Sequence, residues 1–337
     1  MNAAASAPAV VAVVSEELFA EFFSSADAEH LGAVAARLGG AFVRVDRLAD
    51  AELRDARIVI TSWGVGPFDA AVLSALPKLE LVAHTGATIK PFATDELFDR
   101  GVVVTQAGAG MARPVAEVSL TFTLALLHRV PEMHNALRAG DGWYDAATVG
   151  VQREILGTRI AVIGASRTGR AYLDLIRALG AEPLLVDPTL GASEATALGA
   201  ELVPLEEALR RAQIVAVHAP TLPETHHMIG RRELALMRDG AGLVNTARSW
   251  LVDETALLDE LRRGRLSAAI DVFDEEPFAA DSPFRTLPGV LVTPHRAAGT
   301  HQGRLRQGRI VVDEVEAFAA GRPLAHTITR DQLSSMA

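Results

Sequence analysis

The segment from Arg159 to Asp187 places the tightest constraint on the fold of this chain. A short apolar strand, RIAVI at 159–163, leads into the turn GASRTG at 164–169 and a helical pattern, and a second apolar run ends in Asp187. In this order the turn exposes backbone N–H groups at a helix N-terminus to a pyrophosphate, and the acidic residue receives the ribose hydroxyls. The sequence therefore predicts a parallel sheet with a dinucleotide site. Its predicted contacts are Gly164, Ser166, Arg167, Thr168, Gly169 and Asp187.

Ser166 is a departure from the usual G-x-G-x-x-G turn, whose second glycine lets the backbone come close to the phosphates. Serine is small enough to be accommodated there, although we expect cofactor binding to be weaker. The residues after Asp187, at 188–190, carry no cation that would offset its charge. Because Asp187 would repel a 2′-phosphate, the sequence predicts NAD rather than NADP.

Apolar strand-like runs alternate with helical segments along the chain, which is typical of parallel sheets with crossover helices. In the first third the predicted strands are 9–14, 57–61, 79–83 and 101–105. The rest of the chain adds 160–163, 183–186, 214–217, 241–245, 267–271 and 290–293. The predicted fold class is α/β, with two doubly wound, Rossmann-like parallel sheets.

Three further segments carry the chemistry of carbonyl reduction. NTAR ends at Arg248, DVFDEEP contains Glu276 and TPH ends at His295, each shortly after an apolar run. An Arg guanidinium can hold a 2-keto carboxylate by two parallel hydrogen bonds, and a His backed by a carboxylate can pass a proton to the carbonyl oxygen. The hydride must come from a cofactor, since no side chain supplies one. The predicted catalytic residues are therefore Arg248, Glu276 and His295.

These motifs, in this order, resemble the D-isomer-specific 2-hydroxyacid dehydrogenase family, from about residue 79 to about residue 324. The matching segments are VAE at 115–117, ILGT at 155–158, HAPTLPET at 218–225, NTARSWLVDETAL at 245–257, DVF at 271–273 with Glu276-Pro277, and TPH at 293–295. Met111 stands where the family often has Asn, and Ser249-Trp250 follow the Arg where the family commonly has Gly. These departures leave the substrate's identity open.

The resemblance implies how the two sheets divide the chain. Residues 1–112 and 300–337 would form a substrate-binding domain, and residues 113–299 a dinucleotide-binding domain. The helix around 310–320 would return to the first domain, with the active site in the cleft between the two. The resemblance also implies that the apolar helix at 115–127 takes part in a homodimer contact.

The resemblance further implies the roles of individual residues. Arg248 would pair with the substrate carboxylate and polarise the keto oxygen, while Glu276 orients His295. Backbone N–H groups of Gly86 and Ala87, in the HTGAT loop at 84–88, would hold the carboxylate. Additional cofactor contacts are expected at His218, Thr225, Thr246, Ala247 and Asp271.

Composition excludes several other partners. With 42 acidic against 32 basic residues the chain has no basic surface for nucleic acid. It has no cysteine, which excludes disulfides and fits a reducing cytoplasm. The apolar run at 115–127 is too short to span a membrane and carries Glu117. A metal site is not expected, because the adjacent His226 and His227 should point apart and lack a third ligand.

The predicted function is an NAD-dependent enzyme that interconverts a D-2-hydroxy acid and its 2-keto acid. The alternative is an NAD(H)-sensing binding protein similar to the corepressor relatives of the family. The set of Arg248, Glu276 and His295 favours the enzyme, because a sensor has no need for a proton donor.

Overall fold

Two parallel sheets, each in a unit of its own, organise the chain in a computed structural model that describes residues 7–50 and 53–333. One unit holds the described residues through Met111 together with those from Gly299 onward, and the other is Ala112–Ala298. The division falls one residue from the expected boundaries.

The first unit has a five-stranded sheet with the order β2-β1-β3-β4-β5. Its strands are β1 (Pro8–Val13), β2 (Ala41–Val45), β3 (Ile58–Thr61), β4 (Leu81–His84) and β5 (Val103–Gln106). The second unit has a seven-stranded sheet with the order β12-β11-β10-β9-β6-β7-β8. Its strands are β6 (Arg159–Ile163), β7 (Glu182–Val186), β8 (Glu201–Leu202), β9 (Ile214–Val217), β10 (Gly242–Asn245), β11 (Ser267–Ile270) and β12 (Val290–Val292).

Helices connect the strands as crossovers and cover the sheets. They are α1 (Glu16–Phe22), α2 (Ser25–Arg37), α3 (Ala70–Ala75), α4 (Asp95–Asp99), α5 (Ala112–Leu127), α6 (Val130–Ala139), α7 (Trp143–Ala146), α8 (Arg167–Ala178), α9 (Ala192–Ala197), α10 (Leu205–Arg211), α11 (Arg231–Leu236), α12 (Glu254–Arg262), α13 (His301–Ala319) and α14 (Arg330–Leu333). All paired strands within both sheets run parallel. The predicted fold class is therefore confirmed.

All ten predicted strands are present, with ends within two residues of the prediction. The two strands that were missed, β2 and β8, are edge strands. β2 is half-buried along most of its length and contains Arg44, and β8 has only two residues. Central strands of a parallel sheet read as continuous apolar runs because both faces are buried, and these two lack that pattern.

The C-terminal helix α13 begins at His301, about nine residues before the predicted start near 310. Thr300 caps it by accepting a hydrogen bond from Gly303 N. The sequence pattern did not predict the first part of this helix because it contains Gly303 and Gly308, and glycine has a low helix propensity. Gly308 is required by packing: a Cβ there would overlap the carbonyl oxygen of Phe22.

Helix α5 packs on α8 and β10 within the second unit. Its Ala116, Phe122 and Leu126 are buried in that unit's core. Within residues 7–50 and 53–333, no helix combines the length and the apolar character that crossing a bilayer requires.

Two histidines are buried in the cores, and burial lowers the pKa of both His84 and His218 to about 3. The unfolded chain takes up their protons near the ordinary value of 6.5, so between about pH 6.5 and pH 3 the unfolded state binds more protons. Acidification through this window therefore destabilises the fold.

We predict that His218→Phe reduces this acid destabilisation. The phenyl ring keeps the contact with Tyr172, whose ring centre lies 5.0 Å from that of His218, and it cannot be protonated. The free energy of unfolding is measured in urea from pH 7 to pH 5. Its decrease per pH unit should be smaller in the variant than in the wild type, by up to about 1.4 kcal/mol. The exposed His301→Gln serves as the control and should keep the wild-type slope. Equal slopes for His218→Phe and wild type would contradict the account.

Candidate active site

The turn at 164–169 joins β6 to α8 as a tight cradle. Gly164 has a left-handed backbone (φ 101°), and a Cβ on it would lie 2.7 Å from the backbone of Ala219. A Cβ on Gly169 would overlap the carbonyl oxygen of Gly164. Both positions therefore require glycine. The cradle opens at the carboxyl end of β6, where the strand order reverses, which is where doubly wound sheets bind nucleotides.

Ser166, the departure from the glycine pattern, caps helix α8. Its hydroxyl accepts a hydrogen bond of 3.2 Å from Gly169 N. Its backbone angles (φ −58°, ψ 174°) are open to any residue, so the backbone conformation at this position does not require glycine. Arg167 and Thr168 occupy the first two helical positions, where N–H groups have no intrahelical acceptor. The cradle thus fits a pyrophosphate at this helix N-terminus.

Asp187 follows β7 and faces the same turn. Its carboxylate accepts hydrogen bonds from Ala165 N (2.7 Å) and Thr189 N (2.9 Å). Burial alone would raise the pKa of Asp187, but the hydrogen bonds from Thr189 and Ala165, with the nearby Arg170, hold it below its usual value. The carboxylate is thus ionised and fixed beside the cradle.

The expectation that no cation offsets the charge of Asp187 is wrong, because Arg170 lies near it. The residues after Asp187 carry no cation, but α8 brings the Arg170 guanidinium near this carboxylate, where Nε donates to Ala165 O at 2.9 Å. The charge of Asp187 is therefore partly offset by a residue from the preceding helix.

His218 and Thr225 act inside the loop that follows β9. His218 lies beneath the dinucleotide turn, 3.3 Å from where a Cβ on Gly169 would be, and its Nε2 has no hydrogen-bond partner among the described residues. The Thr225 hydroxyl donates to Pro220 O and accepts from Leu222 N. Thr225 thereby shapes the loop.

The carboxyl end of β10 presents Arg248. Asn245 holds this segment: its side chain accepts a hydrogen bond from Ala247 N (3.0 Å) and donates one to Arg248 O (2.9 Å). The Thr246 hydroxyl is buried against Ser119, at 2.7 Å. Burial lowers the pKa of the Arg248 guanidinium, and the nearby Glu276 carboxylate acts against that shift. Arg248 therefore remains a cation in a half-buried position.

Glu276 and His295 form a hydrogen-bonded pair. Glu276 Oε2 lies 2.7 Å from His295 Nδ1, and Oε1 accepts from Phe273 N at 2.9 Å. Both side chains are partly exposed, 45% for His295 and 35% for Glu276. With Nδ1 engaged, Nε2 is the ring atom left to exchange a proton with a substrate.

The three candidate catalytic residues follow neighbouring strands. Arg248 comes after β10, Glu276 after β11 and His295 after β12, and these strands lie side by side in the sheet. Because parallel strands end at the same edge, the sheet itself gathers the three side chains.

Asp271 anchors the turn that carries His295, and its expected contact with the cofactor stays a prediction. Its buried carboxylate accepts hydrogen bonds from the Thr293 hydroxyl, Arg296 N and Ala297 N. His295 itself has a left-handed backbone (φ 51°). Such a conformation is costly for a non-glycine residue and persists where surrounding contacts enforce it.

Glu254 is a supporting residue that sequence reasoning missed. Its Oε2 accepts a hydrogen bond of 2.9 Å from Asp274 N, in the same acidic segment as Glu276. Burial raises the pKa of Glu254, a backbone hydrogen bond from Asp274 lowers it, and the Asp274 charge raises it again. No signal in the sequence indicates this contact. The sequence does contain a signal for the role of Asn245, because an Asn side chain commonly closes a turn by accepting from the N–H group two residues later.

An apolar cavity of about 380 Å³ adjoins the histidine and carboxylate pair. Its lining includes both side chains of the pair and several apolar residues, Phe273, Pro277, Phe278, Val292 and Pro294. Arg285 closes one wall, with its guanidinium 4.5 Å from the centre of the Phe278 ring.

Gly86 and Ala87 lie in the first unit, in the loop after β4. Gln307 Nε2 donates to Thr85 O at 2.8 Å, and Ala107 N donates to Gly86 O at 3.0 Å. Within the described residues, the N–H groups of Gly86 and Ala87 make no hydrogen bond. The loop is therefore held by its carbonyl groups, and binding of a carboxylate by the N–H groups of Gly86 and Ala87 stays a prediction.

The expectation that His226 and His227 point apart is wrong. Their rings stack with centres 3.9 Å apart, and Trp250 packs on His226 at 4.1 Å. The left-handed backbone of His227 (φ 47°) takes the pair out of the extended geometry in which neighbouring side chains alternate. In the part of the chain that the structure describes, no group of three or more His, Asp or Glu side chains is placed to hold a metal ion.

Comparison with known proteins shows which family and which proteins this chain resembles. Residues 120–297 match the family described as D-isomer specific 2-hydroxyacid dehydrogenase, NAD binding domain. D-3-phosphoglycerate dehydrogenase of Mycobacterium leprae is 36% identical over 289 residues, which cover 86% of this chain and 53% of that protein. Glyoxylate reductase of Korarchaeum cryptofilum is 31% identical over 283 residues, 83% of each chain.

A solved structure of D-2-hydroxyisocaproate dehydrogenase has the same fold, with a TM-score of 0.82 at 19% identity over 95% of this chain and 99% of that one. The chain spans about half the length of the phosphoglycerate dehydrogenases that it matches. The matched region contains the cradle, Asp187 and the Arg248, Glu276 and His295 set, and it is an NAD-binding domain. The chain therefore belongs to the D-isomer-specific 2-hydroxyacid dehydrogenase family.

Proposed function

We propose that this chain reduces a 2-keto acid to the D-2-hydroxy acid with NADH and catalyses the reverse oxidation with NAD. The observation that carries the proposal is the hydrogen bond of 2.7 Å between His295 and Glu276, in the same unit as a glycine cradle and a half-buried Arg248. Together they supply a proton donor, a carboxylate receptor and a dinucleotide site.

The residues divide the reaction between them. Arg248 binds the substrate carboxylate and polarises the keto oxygen through its planar guanidinium. His295 gives a proton from Nε2 to that oxygen during reduction and takes it back during oxidation. Glu276 fixes the ring through Nδ1 and stabilises the imidazolium. Bound NAD(H) supplies or accepts the hydride at the substrate's C2.

We also propose that the chain acts as a homodimer. Most large apolar side chains that are exposed within the described residues fall in one stretch, residues 130–156. They are Val130, Leu137, Trp143, Tyr144, Val151 and Leu156. A concentration of exposed apolar surface of this kind favours a protein contact. Light scattering at micromolar concentration should give twice the chain mass, and the mass of a single chain would refute the dimer.

A panel of 2-keto acids with NADH tests the reaction itself. The enzyme should oxidise NADH with at least one of glyoxylate, pyruvate, hydroxypyruvate, 3-phosphohydroxypyruvate, 2-ketoisocaproate and phenylpyruvate. Tight NADH binding without oxidation by any of them would favour the NAD(H)-sensing alternative.

We predict that Arg248→Lys loses most of the activity. Lysine keeps the charge but cannot grip the carboxylate and carbonyl by two points. The expected loss of transition-state stabilisation, from kcat/KM, is about 2–4 kcal/mol. The exposed Arg262→Lys on α12 is the matched control and should behave as wild type. Near-wild-type kcat/KM in Arg248→Lys, with NADH binding intact, would mean that Arg248 has only a structural role.

We predict that Glu276→Gln lowers activity in both directions. Glutamine keeps an acceptor for Phe273 N but removes the carboxylate that lies 2.7 Å from His295 Nδ1 and stabilises the imidazolium. The kcat/KM of reduction and that of oxidation should each fall by about tenfold or more, while NADH binding stays intact. Glu275→Gln should keep the wild-type kcat/KM in both directions. If Glu275→Gln loses this activity and Glu276→Gln does not, the assignment of the partner is wrong.

We predict that NAD is preferred over NADP and that two opposite charges set the size of the preference. Asp187→Ala should narrow it, because the carboxylate no longer repels the 2′-phosphate. Arg170→Leu should widen it, because the cation near Asp187 is removed. The measurement is the ratio of kcat/KM with NADH to that with NADPH. Equal efficiency with both cofactors in the wild type would refute the role of Asp187.

A further inference from the structure

An exposed indole lies beside the predicted carboxylate loop of the first unit. Trp63 stands in the turn after β3 and is 42% exposed. The 84–88 loop follows β4, the strand paired with β3. Trp63 Cε2 lies 3.3 Å from where a Cβ on Gly86 would be. The indole is therefore within van der Waals reach of the loop whose N–H groups are predicted to hold the carboxylate.

The indole is held in place from one side. The Arg304 guanidinium lies 4.5 Å from the centre of the Trp63 ring, and the Phe22 ring lies 5.6 Å away. Arg304 is only 7% exposed and pairs with Glu21 at 3.4 Å. Stacking of a paired cation on an aromatic face stabilises the ring position. These contacts stabilise the position of the indole, and its exposed part presents an apolar surface.

Three polar side chains at the loop, His84, Thr85 and Ser62, carry no charge near pH 7. His84 lies edge-on to Trp63, with ring centres 6.5 Å apart, and burial lowers its pKa to about 3, so it is neutral near pH 7. Its Nδ1 is hydrogen-bonded to the Thr61 hydroxyl at 2.9 Å. The Thr85 hydroxyl donates to Ser62 at 3.0 Å. These polar side chains are buried and hydrogen-bonded in pairs, whereas the indole is exposed.

We propose that Trp63 is a specificity-determining residue that packs against the C3 substituent of the 2-keto acid and selects an apolar, branched or aromatic substituent over a charged one. The proposal rests on the proposed function. A substrate anchored by its carboxylate at Gly86 and Ala87 places its side group near the indole. An apolar group gains by leaving water there. A phosphorylated group would lose hydration against the indole. The cation next to that ring, Arg304, is only 7% exposed and pairs with Glu21 at 3.4 Å.

The test is kcat/KM with NADH for wild type, Trp63→Phe and Trp63→Ala across a series of increasing apolar size. The series is glyoxylate, pyruvate, 2-ketoisocaproate and phenylpyruvate, with 3-phosphohydroxypyruvate as the charged member. Wild type should favour the two largest apolar acids. Trp63→Ala should lose about tenfold or more on those two and progressively less towards glyoxylate. Trp63→Phe should keep most of the wild-type ranking because it retains a ring.

The possible outcomes distinguish a failure of the role of Trp63 from a failure of the proposed function. A loss in Trp63→Ala that is equal across the series, or a wild-type preference for 3-phosphohydroxypyruvate, would overturn the role of Trp63 and leave the proposed function standing. No reduction of any member by wild type would overturn the proposed function and the inference with it. If Trp63→Ala does not fold, the rankings of wild type and Trp63→Phe still decide.

Discussion

The buried carboxylate of Asp271 is the contact on which the candidate catalytic arrangement depends. It lies directly after β11 and accepts three hydrogen bonds from the segment that follows β12. A buried charge is stable only when it is hydrogen-bonded in this way. Those bonds hold the turn in which His295 takes a left-handed backbone, a conformation that costs on the order of 1–3 kcal/mol. Asp271 thereby helps to fix the backbone from which the His295 ring reaches Glu276.

The rest of the arrangement follows from strand order. Since β10, β11 and β12 are neighbours, the segments that follow them meet at one edge and bring a cation, a carboxylate and a histidine together. Asn245 and Glu254 then fix the backbones that carry Arg248 and Glu276. The dinucleotide cradle lies at the same edge, after β6. One sheet therefore supplies both the cofactor site and the candidate acid-base pair.

Much of this was predictable from the sequence, for definite physical reasons. Central parallel strands are buried on both faces, so their apolar runs located them, and Arg248, Glu276 and His295 were found because each follows such a run. The edge strand β2 was missed because its half-exposed surface breaks the pattern. The parts played by Asp271, Glu254 and Ser166 depend on which N–H group each side chain meets in three dimensions. The closeness of Arg170 to Asp187 likewise depends on the turn of α8 and not on sequence distance.

The most direct test of the account follows the hydrogen atoms. Reduction of a 2-keto acid with NADH that carries deuterium at both positions of the nicotinamide C4, in ordinary water, should place deuterium at C2 of a D-2-hydroxy acid. The complementary reaction in heavy water with unlabelled NADH should leave C2 free of deuterium, because His295 delivers the solvent-derived proton to oxygen. Solvent deuterium at C2, or no transfer of the cofactor's label, would contradict direct hydride transfer paired with proton donation by His295.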